Sequence, residues 1–102
     1  MTKYEELQEF LRSNQSTWLI TGVAGFIGYH LSKSLLSTEN DITGVDNLNS
    51  YYSQKLKRDR LKDIQIRDQF NSFNSVNCNI EDKEKLMNLF KEKKFDYVVN
   101  LA

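Results

Sequence analysis

The chain has 102 residues, the size of one small domain, and its 14 lysines and arginines balance 14 aspartates and glutamates, so nothing global points to nucleic acid or an anionic membrane. One cysteine, Cys78, excludes an internal disulfide and fits a reducing cytoplasm; with one histidine it cannot furnish a tetrahedral zinc site without carboxylates or a partner chain. No apolar run approaches the roughly 20 residues of a membrane span, and the acidic start Tyr4-Glu5-Glu6 is unlike a signal peptide.

Residues 3–12 read as a helix, with Tyr4, Leu7 and Leu11 on one face and Thr2 with Glu5 as a capping box. Its apolar stripe is expected to dock on the edge of the domain's own sheet. Ser13 to Ser16 break the pattern. Thr17 to Thr21 reads as the first strand, and Phe26 to Leu36 as a crossover helix with Ile27, Leu31 and Leu35 stacked at i, i+4 and i+8. Asn40 is placed to end that helix in a left-handed conformation. Ile42 to Asp46 is the second strand and ends on a carboxylate.

A polar loop follows, then a helix over residues 54–64 with Leu56, Leu61 and Ile64 inward. Phe73 to Cys78 is a weaker third strand. Glu81 to Lys91 is a helix with acids early and lysines late, which suits the macrodipole. Phe95 to Leu101 is the fourth strand, and its Tyr97-Val98-Val99 centre suits a buried parallel strand. Strands alternating with helices predict an α/β fold: the N-terminal half of a Rossmann-type doubly wound parallel sheet, plus strand four, with an extra N-terminal helix. Residues 1–15 form the helical extension and 16–102 the partial nucleotide-binding domain. Without a fifth strand, strand four is an edge, and the chain is expected to be marginally stable or to associate.

The run Thr21-Gly22-Val23-Ala24-Gly25-Phe26-Ile27-Gly28 joins the first strand to its helix. Glycines at spacing three suit a turn that lets backbone approach a pyrophosphate. Gly22 and Gly25 keep side chains out of the phosphate position, Gly28 lets the helix pack close, and the helix N-terminus offers free N–H groups. Asp46 follows Gly28 by 18 residues, near the spacing expected of an acid that accepts hydrogen bonds from the adenosine ribose hydroxyls. Its charge opposes a 2′-phosphate, which favours NAD over NADP.

These motifs resemble the extended short-chain dehydrogenase/reductase family, specifically the NAD-dependent nucleotide-sugar epimerases and dehydratases. Val45-Asp46-Asn47-Leu48-Asn49-Ser50-Tyr51-Tyr52, with Leu56 and Arg60-Leu61 following, is similar to the UDP-glucuronate 4-epimerases. The leading segment from Tyr4-Glu5-Glu6-Leu7 through Trp18-Leu19-Ile20-Thr21-Gly22-Val23-Ala24-Gly25 is similar to bacterial UDP-N-acetylhexosamine 4-epimerases of surface-polysaccharide synthesis, which carry a comparable N-terminal helix. The resemblance implies that Gly22, Gly25, Phe26, Ile27 and Gly28 hold the pyrophosphate and that Asp46 and Asn47 meet the ribose. The family's Asp-Ile or Asp-Leu at the adenine edge is Asn79-Ile80 here, where the Asn79 amide oxygen can accept from the adenine amino group without bringing charge. Leu101 and Ala102 start the loop beside the central part of the cofactor.

For a complete enzyme the resemblance implies epimerisation at C4 of a UDP-hexose derivative through a transient 4-keto sugar, with NAD and the UDP-sugar as ligands, a homodimer as the assembly and no nucleic acid or membrane partner. The family's catalytic Tyr-x-x-x-Lys helix lies downstream of the fourth strand, so these 102 residues are expected to lack epimerase activity and to supply the cofactor cradle. No catalytic residue or metal ligand is assigned among them. Tyr51 and Lys55 match Tyr-x-x-x-Lys by spacing, but they follow the second strand, on the adenosine side, and are read as loop residues. A related dehydratase, decarboxylase or reductase, or a non-catalytic nucleotide-binding or interaction module, shares these features. Lys55, Lys57, Arg58, Arg60 and Lys62, interleaved with Asp59 and Asp63, read as a solvated helix face. His30 reads as a surface or packing residue and Cys78 as a small buried one.

Overall fold

Each apolar run that pairs into the sheet is returned to the same side by a helix, so all four strands lie parallel. The computed structural model describes residues 2–13, 15–48, 54–69 and 71–101. In chain order these form α1 (Lys3–Ser13), β1 (Thr17–Thr21), α2 (Phe26–Leu36), β2 (Asp41–Asp46), α3 (Gln54–Arg67), β3 (Phe73–Asn77), α4 (Lys83–Glu92) and β4 (Tyr97–Asn100). The sheet order is β3-β2-β1-β4, the expected half of a doubly wound α/β fold plus strand four. Among the described residues no helix is long and apolar enough to cross a membrane.

Alternation along the strands divides the core between the two faces. Ile20, Ile42 and Phe73 pack with Val23, with Leu35 and Leu36 of α2 and with Ile64 of α3. Leu19, Val45 and Cys78 meet Leu86 and Leu89 of α4 on the other side. The second layer is thinner, because no residue of α4 is fully buried. Asp82 caps α4 by accepting the Lys85 N–H at 3.2 Å, so the helix begins two residues after Glu81 and keeps Glu84 in its first turn.

The sequence misplaces several side chains. The buried face of α2 is Gly28, Ser32, Leu35 and Leu36, while Ile27 is 64% exposed. Two small residues let the helix backbone approach the sheet, and that rotates Ile27 outward. Glu39, with φ of 63°, takes the left-handed position expected of Asn40. Asn40 is fully buried and serves as a polar hub. Its Oδ1 accepts the Ser16 N–H at 2.8 Å and the Trp18 Nε1–H at 3.1 Å, and its Nδ2 donates to Thr38 Oγ1 at 2.8 Å.

Thr2 caps α1 as expected, its Oγ1 accepting the Glu5 N–H at 3.1 Å. The stripe of α1 does not dock on a sheet edge: Tyr4 and Leu7 are more than half exposed, and the Leu11 side chain lies outside those described. Ahead of β1, the Ser16 N–H is fixed on Asn40 and Gln15 is bonded to Glu39. On α3, Leu56 is exposed and Lys57 takes the inward place instead. Tyr97 and Val98 are also about half exposed, since β4 is an edge of this sheet. Tyr97 recovers contact by stacking on Trp18, with ring centroids 4.5 Å apart.

The helices of the thicker layer are joined through Asp63, whose carboxylate accepts the Tyr29 hydroxyl hydrogen bond and pairs with Arg67 at 3.0 Å and Lys33 at 3.8 Å. The Tyr29 bond, then the two cations, hold this carboxyl below its usual range. A depressed carboxyl contributes stability that is fully present above its unfolded value, near 4, and is lost as pH falls through the lower folded value. Asp63→Asn is therefore expected to lower the urea midpoint at pH 7 and to leave it unchanged relative to the parent at the acid end, as read by circular dichroism across pH 7 to 3.

Candidate functional site

The parallel arrangement brings every expected site segment to one edge. Thr21 is in register with Val45 and Asn100, and Asp46 with Asn77, so the exits of all four strands lie at the carboxyl end of the sheet. The turn after β1 is held by its own backbone. The N–H groups of Gly22 and Val23 donate to Val45 O at 2.7 and 3.3 Å, and that of Gly25 to Gly22 O at 3.0 Å.

Different physical needs select the glycines. Gly22 has φ of 73°, a left-handed conformation that side chains strain. A Cβ on Gly28 would stand 2.5 Å from Gly22 O and 2.9 Å from Val23 Cα, so close packing of α2 on the turn requires its absence. A Cβ on Gly25 would meet Gly22 O at 3.2 Å. Gly44, in the middle of β2, belongs to the same device: a Cβ there would press on the Val23 side chain at 2.8 Å. A glycine inside an apolar strand signals such an approach, and the sequence reading passed over it.

α2 begins at Gly25, which caps it without a side chain, and its first turn holds no acid. The first intrahelical bond runs from Tyr29 N–H to Gly25 O at 2.9 Å. The N–H groups of Phe26, Ile27 and Gly28 therefore have no carbonyl one turn back, which is the arrangement that receives an anion. Phe26 is exposed and Ile27 likewise, with His30 beside them on the surface, edge-on to Phe26.

Asp46, 7% exposed, is bound from three directions. Its Oδ2 accepts the Ala24 N–H of the glycine turn at 3.1 Å; its Oδ1 accepts the Leu48 N–H at 2.8 Å and Lys57 Nζ at 3.1 Å. The Lys57 and Asp46 side chains are 9% and 5% exposed, so this is a buried ion pair. Of about four lone-pair positions on a carboxylate, donors among the described residues fill three, and the second on Oδ2 takes none of them. Arg60, one turn along α3, donates from Nη1 to Ala24 O at 3.1 Å.

The basic cluster of α3 is therefore only partly a solvated face. Lys55, Arg58 and Lys62 are exposed as expected, whereas Lys57 and Arg60 turn inward onto the glycine turn and its acid. The missed signal is positional: Lys57, Arg60, Leu61 and Ile64 recur at helical spacing, and the last of these is fully buried.

Other expected site residues are disposed unevenly. Asn47 is exposed at the β2 exit. Asn79 uses its Oδ1, the atom assigned to adenine, to accept the Glu81 N–H at 3.0 Å, which leaves one lone pair. Ile80 is 38% exposed beside it, and Leu101 donates its N–H to Thr21 O at 3.0 Å. Cys78 is buried and free. Ala102, Tyr51 and Tyr52 lie outside the described residues.

Residues 19–102 match the profile of the family described as GDP-mannose 4,6 dehydratase. The chain belongs to this family. It is thereby placed among the extended short-chain dehydrogenases/reductases. Protein CapI of Staphylococcus aureus is 46% identical over 84 residues, which cover 82% of this chain and 24% of that protein. UDP-glucuronate 4-epimerase 4 of Arabidopsis thaliana is 39% identical over 90 residues, 88% of this chain and 20% of that protein. A UDP-glucose-4-epimerase structure from Stenotrophomonas maltophila, with bound NAD and formylated UDP-arabinopyranose, superposes with a TM-score of 0.70 at 25% identity, over 86% of this chain and 24% of that one. The chain thus spans about a quarter of the length of the relatives it matches.

Removing one partner of a buried pair leaves an uncompensated charge. Lys57→Met is expected to lower stability by about 3 kcal/mol, and Lys57→Met with Asp46→Asn to recover most of that loss. Urea denaturation of both variants beside the parent chain tests this, and equal losses in the two variants would show that the pair is not coupled.

Proposed function

We propose that this chain is the NAD-binding portion of a nucleotide-sugar 4-epimerase acting on a UDP-hexose derivative, with UDP-glucuronate as the favoured substrate and UDP-N-acetylglucosamine the related choice. One observation carries the cofactor reading: the glycine turn and the β2 acid are joined through the Ala24 N–H at 3.1 Å of Asp46 Oδ2, at the carboxyl edge of the sheet. A diphosphate fits the uncapped N–H groups of Phe26 and Ile27, with no acid in the first turn to repel it. A ribose hydroxyl fits the free lone pair of Asp46, and Asn47 stands beside it. Asn79 and Ile80 border the adenine position, with Leu101 and Ala102 toward the middle of the cofactor.

Bound NAD supplies a reversible hydride acceptor. The residues of this chain contribute binding and orientation. Asp46 accepts and does not donate, and a 2′-phosphate is also an acceptor at neutral pH, so NAD is preferred to NADP. Residues 1–15 are an extension of the domain formed by 16–102. The UDP-glucuronate assignment rests on the names of the plant relatives and on Val45 to Tyr52. The cytoplasm is the proposed compartment, on the single unpaired cysteine. Because the family profile itself is described as a 4,6 dehydratase, a dehydratase sharing the same cofactor half is the second reading.

Titration calorimetry of the chain with NAD and NADP is expected to show tighter binding of NAD, and Asp46→Asn to weaken NAD by roughly tenfold, the worth of one hydrogen bond to a charged acceptor. The same material, supplied with NAD and UDP-glucuronate, is expected to produce no C4-inverted sugar. Equal affinity for NAD in parent and variant removes Asp46 from the site; turnover places a catalytic group within these 102 residues.

A further inference from the structure

The glycine turn carries a weakness that its own sequence cannot correct. Between Ala24 and the start of α2 lies Gly25, whose backbone meets little steric restriction. The Ala24–Gly25 peptide is therefore the softest unit immediately before the Phe26 and Ile27 N–H groups. Its N–H end is fixed inside the turn, on Gly22 O at 3.0 Å. Its carbonyl end is fixed from outside, by Arg60 Nη1 at 3.1 Å. The preceding peptide is secured in the same manner, with the Ala24 N–H on Asp46, itself held by Lys57. Lys57 and Arg60 are one turn apart on α3, so a single helix reaches the acid and the turn together.

We propose that Arg60 is a positioning residue for the diphosphate of the cofactor: by holding the Ala24 carbonyl it sets the direction of the N–H groups that open α2. The inference rests on the NAD-binding reading above and extends it to a residue on another element. A planar guanidinium suits the task, because its fixed fork loses little freedom on binding a carbonyl and cannot lose its proton. Arg60 acts through the turn, so its removal should be felt by ligands carrying a diphosphate and not by the nucleoside portion alone, which meets the Asp46 end.

The test compares NAD, ADP and adenosine on the 102-residue chain, the first two by calorimetry and adenosine by NMR line broadening. Arg60→Met is expected to raise Kd for NAD and ADP about tenfold while adenosine changes less than twofold. Arg60→Lys, which keeps a donor and the charge, is expected to recover part of the loss. Arg58→Met, an exposed change on the same helix, should match the parent for all three ligands. Thermal unfolding of each variant confirms folding, and if Arg60→Met does not fold, the ratio of ADP to adenosine affinity in Arg60→Lys decides. Equal weakening of adenosine and ADP, or a lowered Tm with unchanged Kd values, overturns the proposal and leaves Arg60 a purely structural residue. Failure of the parent chain itself to bind NAD and ADP overturns the cofactor reading, and this inference with it.

Discussion

The carboxylate of Asp46 is the point on which the site depends. It ends β2, accepts the turn that follows β1, accepts the backbone of its own exit loop, and neutralises a lysine of α3. The turn after β1, the end of β2 with its exit loop, and α3 are thereby joined through two oxygens. Taking an acid and a base out of water together is tolerated when the remaining acceptor positions are filled, and here nearly all are.

Around that carboxylate the glycines act as spacers. Gly28 and Gly44 remove side chains on opposite sides of Val23, one under the helix and one within the strand. The turn is therefore pressed into the sheet, and the amino end of α2 falls in line with the strand exits. Charge then follows shape: uncapped main-chain donors stand on one side of the turn, two basic side chains of α3 on the other. The family membership gives this arrangement its chemical context.

Much of this was legible before any coordinates. β1 and α2 fall at the expected residues, because the apolar run is short and the glycines mark its end. The parallel sheet follows from alternation of strands and helices, since parallel pairs require crossovers. What escaped the sequence has a common cause: side chains were assigned by their hydropathy and not by their position on the helix. Hydropathy alone turns apolar Leu56 inward and charged Lys57 outward, whereas the partner facing this position is the carboxylate of Asp46. Asn40 has the composition of a local cap, but its Oδ1 accepts from Trp18 and Ser16, 22 and 24 residues away, beyond the reach of any local rule. For α1, periodicity defined the stripe and could say nothing of what it meets.

The unequal layers have a kinetic side. The face covered by α2 and α3 buries large aliphatic side chains to the last few per cent, while α4 rests on the sheet through residues that all keep some contact with water. Opening of α4 uncovers little apolar surface and breaks few tertiary bonds, so its amide protons exchange with solvent through local fluctuation, well ahead of those in β1 and β2. The chain is in this sense a rigid half carrying a looser one, and the glycine turn with Asp46 belongs to the rigid half.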